Sequence, residues 1–180
     1  MGLANLFLSL AKHFGYVEPV IPEPPEPEPP SLDAYDSWVR QQVGTITRHE
    51  TTWLKVKAEL EALGLKCMAS DAPDTKVFYV SETSLAKMIP FLTYPADYYV
   101  AELDIDCDDY SKWAASDASR IFKVNGIWEV WGMTPLGYHA LSLAKLTGNK
   151  YKLWESNAGF EYAGEVFSFG DYEYTPNKWK

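Results

Sequence analysis

Cys107 and His139 are the side chains of this 180-residue chain whose types and order suggest covalent chemistry. The thiol sits in Asp106-Cys107-Asp108-Asp109-Tyr110, and the imidazole follows in Gly137-Tyr138-His139-Ala140. A thiol at a helix start is favoured as thiolate by unpaired N–H groups and by a nearby imidazolium, and the thiolate is the form that attacks carbonyls. One feature opposes this. Asp104, Asp106, Asp108 and Asp109 crowd the sulfur with negative charge, which disfavours a thiolate unless a cation absorbs it.

The elements that must position these groups follow from spacing. Tyr110, Trp113, Ala114, Ala118 and Ile121 recur on one helical face, with Ser111, Lys112, Ser116, Asp117 and Arg120 on the other. Asp104 or Asp106 is placed to cap that helix. Residues 136 to 146 and 151 to 155 read as strands joined by the turn-forming Thr147-Gly148-Asn149-Lys150. Centred on Thr147, the hairpin sets Glu155 opposite His139; centred on Gly148, it sets Asn157 there. Both candidates lie on the same strand face. Either supplies the acceptor that orients an imidazole base.

These residues resemble a known family. Asp106-Cys107-Asp108-Asp109-Tyr110, Gly137-Tyr138-His139-Ala140 and Trp154-Glu155-Ser156-Asn157 are similar to the papain-like cysteine protease domain of the Marasmius oreades agglutinin type, which has bacterial and bacteriophage relatives. The resemblance spans about residues 75 to 180. It implies a catalytic triad of Cys107, His139 and Glu155, and activation by calcium or manganese at Asp109, Asn157 and Asp108. Asn157 departs from the pattern, being a shorter amide than the family's Gln. The agglutinin's sugar-binding trefoil has no counterpart here, so the resemblance implies no lectin activity. A bound cation would neutralise the aspartates through hard oxygen ligands and favour the thiolate. Without one, the aspartates are a solvated helix start favoured by the dipole.

Cys67, in Gly64-Leu65-Lys66-Cys67-Met68, has no such neighbours and reads as structural, and His13 and His49 carry no assigned chemistry. A net charge of −9 and a sequence pI near 4.8 exclude a nucleic-acid surface, which needs a basic stripe. No phosphate-loop, dinucleotide or zinc-ligand spacing occurs, so no organic cofactor is expected. Two cysteines in unlike contexts suit a reducing compartment rather than a disulfide framework. Seven Trp and 12 Tyr supply aromatic surface beyond what one core needs.

Residues 1 to 15 form an apolar helical stripe through Leu3, Leu6, Phe7, Leu10 and Phe14, closed by Gly15. Residues 16 to 31 are rich in Pro and Glu, which predicts an extended linker; 14 such residues reach roughly 43 Å in polyproline form. The helix lacks the basic region and cleavage site of a signal peptide, is too short to span a membrane, and has Leu6 where myristoylation prefers Ser or Thr. Docking into a groove on a protein partner, such as a virion structural protein, is the expectation, with a cytoplasmic or virion-associated location.

Residues 32 to 180 are expected to form one α+β domain of papain-like layout. Helices are predicted over residues 32 to 65, a strand over 77 to 80, a helical turn over 84 to 88, and strands from Ile127 onward making an antiparallel sheet. Three function classes follow. The first is a cysteine peptidase-like acyl-transfer domain acting on peptide or protein, with Cys107 as nucleophile, His139 as base and Glu155 or Asn157 as orienter. The second is a silent structural or adaptor protein of a bacteriophage particle. The third is a transglutaminase-like or cell-wall amidase variant.

Overall fold

The computed structural model describes residues 31–69, 74–100, 105–135 and 137–180. The expected helix over residues 2 to 14, its anchors Leu3, Leu6, Phe7, Leu10 and Phe14, and the Pro/Glu linker lie outside the described residues. What is described is an α+β domain.

Helix α1 (Leu32–Val43) buries Val39 and Val43. Between the two helices expected over residues 32 to 65 lies a strand that the spacing did not predict. His49–Thr52 forms strand β1, which pairs antiparallel with β3 (Lys76–Tyr79), and Thr52 then caps α2 (Trp53–Ala62) by accepting from the Lys55 N–H. Two β-branched threonines in succession favour the extended form, and the second doubles as an N-cap. After β2 (Lys66–Cys67) and β3 comes α3 (Glu82–Met88), capped by Ser81 and followed by a 3-10 turn through Pro90.

Helix α4 (Cys107–Phe122) precedes β4 (Ile127–Thr134), β5 (Gly137–Leu146), β6 (Lys150–Trp154) and β7 (Thr175–Trp179). The main sheet runs β2-β7-β4-β5-β6. It differs from the antiparallel expectation at one edge, where β2 pairs parallel to β7. Strand β7 was not among the expected strands, yet it is inserted between β2 and β4. Gly132 marks their close approach, because a Cβ there would lie 2.2 Å from the Thr175 carbonyl oxygen.

Alternation along β4 and β5 buries both sheet faces. One carries Ile127, Ala144, Leu146 and Trp154 against α1, α3 and the Ala114–Ala118–Ile121 face of α4. The other carries Trp128, Val130, Leu141, Leu143 and Trp179 against α2. Helix α4 packs on β4 and β5, which fixes Cys107 near the end of β5. Among the described residues, no helix is long and apolar enough to cross a membrane.

Candidate functional site

Helix α4 starts at Cys107 because Asp106 closes a capping box. The Asp106 carboxylate accepts from the Asp108 N–H, and the Asp109 carboxylate accepts from the Asp106 N–H. Asp106 therefore takes the capping role that the sequence left open between it and Asp104. The sulfur of Cys107 faces β5, where it receives the Ala140 N–H at 3.4 Å. Ser111, buried one turn on, donates its hydroxyl to the Cys107 carbonyl.

His139 lies next in β5, with only 11% of its side chain exposed. Its Nε2 is 2.6 Å from Glu155 Oε2, and Cys107 lies close enough to raise its pKa. Burial lowers the imidazole pKa, but the neighbouring Cys107 and Glu155 outweigh it and push the group up to about 9. The Phe160 ring covers the imidazole at 4.8 Å, and the Tyr174 hydroxyl donates to the His139 carbonyl at 3.2 Å. Glu155, 1% exposed, receives the Asn157 N–H on Oε1 at 2.8 Å.

Of the predicted residues, Cys107, His139 and Glu155 are brought together. Asn157 is not the imidazole's partner: its side-chain oxygen accepts from the Gly159 N–H at 2.8 Å, and its own N–H holds Glu155. The constellation places a base beside a thiol and a carboxylate behind the base. Chemically it can take a proton from sulfur and keep the resulting imidazolium paired.

The aspartates are less bare than their spacing suggests. Lys112 ion-pairs with both Asp108 and Asp109. A hydrogen bond between Asp106 and Asp108 pushes Asp106 up and holds Asp108 down. Asp106, Asp108 and Asp109 offer oxygens within 4.8 Å of one another, a hard-donor set that fits calcium or manganese. Lys112 supplies the compensating charge from within the chain.

Two features were invisible in the sequence. Glu129, on β4, is 4% exposed with Oε1 unpartnered; its burial pushes it up to about 8, with Lys112 pulling the other way. From His139 a row of rings leads outward through Phe160 to Tyr162 at 5.8 Å and on to Tyr172, stacked at 4.5 Å and 15°. It ends in a cleft of about 700 Å³ lined by Thr134, Pro135, Glu161, Tyr162, Glu165 and Tyr172, among others.

No protein-family model matches the chain, and no curated protein matches it. Among solved structures, the chain is similar to one titled as a PSL1a-E64 complex, at 18% identity and a TM-score of 0.51, over 72% of this chain and 50% of that one. A second is the Polyporus squamosus lectin bound to the human-type influenza-binding epitope Neu5Aca2-6Galb1-4GlcNAc, at 18% identity and a TM-score of 0.48, over 72% and 49%. The first likeness is one of fold. The chain spans about half the length of the solved structures it matches.

These comparisons correct the functional expectation. One neighbour is titled as an E64 complex and the other as a glycan-bound lectin. Neither likeness supports the cysteine peptidase expectation, its transglutaminase-like or amidase variant or the silent virion protein, and none of these is carried forward.

Proposed function

We propose that the domain binds carbohydrate in the cleft between the β4–β5 turn and the loop over residues 161 to 173. The observation that carries this reading is backbone strain at the rim. Tyr172 and Glu173 adopt φ of +53° and +57°, a left-handed conformation that bulky residues avoid and that clusters at ligand sites. The strain presents the half-exposed Tyr172 ring, backed by Tyr162, as a flat platform. A pyranose lays its C–H face on such a ring while its hydroxyls donate to carboxylates. Glu161, Glu165 and Glu173 supply these acceptors, and Glu165 already receives the Tyr172 hydroxyl at 2.7 Å. Three carboxylates repel an anionic sugar, so the ligand class is a neutral or amino sugar.

Ligand-observed NMR with neutral and amino oligosaccharides tests it on the full chain. Binding that survives Tyr172→Phe and disappears in Tyr172→Ala is the expected result. No binding by either class, or binding indifferent to Tyr172→Ala, overturns the reading.

Two further expectations enter as proposals. Calcium or manganese displaces Lys112 from the Asp108–Asp109 pair, with Asn157 as a further oxygen donor; calorimetry should detect uptake by the chain that Asp109→Ala abolishes. The stripe Leu3, Leu6, Phe7, Leu10 and Phe14 docks on a protein partner, so deleting residues 1 to 31 should leave the domain folded and remove the chain from its assembly.

A further inference from the structure

We propose that the sheet face beside Cys107 is a second binding site, one that takes an acidic peptide segment carrying a bulky apolar side chain. Strand β4 pairs Trp131 with Lys178 of β7 and Met133 with Tyr138 of β5. Alternation puts these side chains on one face. Ala140, whose N–H reaches the Cys107 sulfur, pairs with Trp131 and shares that face. Although α4 packs on the same two strands, Met133 is 50% and Tyr138 49% exposed. Met68, held by its N–H to the Trp179 carbonyl, extends the apolar surface past β2.

Met68, Trp131, Tyr138, Lys178 and Lys180 line a hollow of about 290 Å³. A space at the small end of ligand pockets suits one large side chain rather than a folded surface. Its two charged side chains, Lys178 and Lys180, are both cationic in a chain that carries −9 overall. Lys180 faces the buried Glu129. Lys178 has no carboxylate partner among the described residues and lies 5.4 Å from the Tyr138 ring centre, its stem along the aromatic surface. An unpaired cation beside an uncovered apolar hollow recognises a carboxylate next to an apolar group.

Titration of the nitrogen-15-labelled full chain with the end-capped peptide Glu-Phe-Glu tests the proposal. Chemical shifts should move at Trp131, Tyr138 and Lys178, with a Kd on the order of 1 mM, and Lys178→Glu should weaken binding about tenfold or more. Lys178→Gln, which adds no repulsion, should give a smaller loss in the same direction. End-capped Lys-Phe-Lys should not bind. Shifts located elsewhere, equal affinity in the Lys178→Glu chain, or equal affinity for the lysine peptide each overturn it.

Discussion

His139 and Glu155 meet across a hairpin whose register points elsewhere. The β5–β6 ladder runs from Leu146↔Lys150 to Ser142↔Trp154, centred on Gly148, and its continuation would set Asn157 opposite His139. The ladder stops at Ser142, and Glu155 bonds instead as a diagonal neighbour, its Oε2 2.6 Å from Nε2. Diagonal pairs are within reach of long side chains. Asn157 serves the contact from behind through its N–H to Glu155 Oε1.

That contact makes stability depend on pH. The folded pKa of His139 is about 9, against an ordinary 6.5, so the charged imidazole favours the folded state. Its contribution is complete below pH 6.5 and is lost as pH rises through 9, amounting to about 3 kcal/mol at most. Glu155→Gln should bring the His139 pKa, followed by NMR of its ring protons, down by more than one unit.

Alkylation should separate the two thiols. Cys67 and Cys107 are both half-buried, but Cys107 lies beside the His139 imidazole and raises its pKa. Iodoacetamide at pH 7 should modify Cys107 first, and His139→Ala should slow that reaction about tenfold or more. Equal rates at the two cysteines would show that the neighbouring imidazole has no effect on sulfur reactivity.

Glu129 works against the fold above neutral pH. Its burial raises it from 4.5 to about 8, so folding favours the neutral acid and loses stability as pH rises through that range. Glu129→Gln keeps the shape without the charge. Denaturant melts at pH 8.5 should show the variant more stable than the parent by about 1–3 kcal/mol, with the difference gone near pH 4.

A second buried charge has its partner. Lys145, 2% exposed, sits 2.5 Å from Glu59, and Tyr151 donates to the same carboxylate at 2.6 Å. Removing the carboxylate by Glu59→Ala strands the ammonium and should cost about 3 kcal/mol in chemical denaturation. Lys145→Met in the Glu59→Ala background should recover much of the loss, because no charge then stays buried.

Local chemistry made much of this protein legible in its residues. The Tyr110–Ile121 spacing marked α4, the Thr147–Lys150 turn marked the β5–β6 hairpin, and together they put Cys107, His139 and Glu155 within one site. Each is a short-range pattern, in which side-chain period and turn residues act within a dozen positions. Strand β1 escaped notice because four residues between two helices carry too little periodicity, and β7 because Thr175 and Pro176 suit a loop until β4 is beside them.

Tertiary structure alone decided the rest. The choice of Glu155 over Asn157 depended on where a ladder ends, which no turn residue encodes. The strained Tyr172–Glu173 rim and the lysine-lined hollow depended on loops and strands distant in sequence. Periodicity along the chain specifies which face of an element is buried, whereas packing between elements settles which side chains meet, because only closure of the fold excludes water and brings remote charges within a few ångströms.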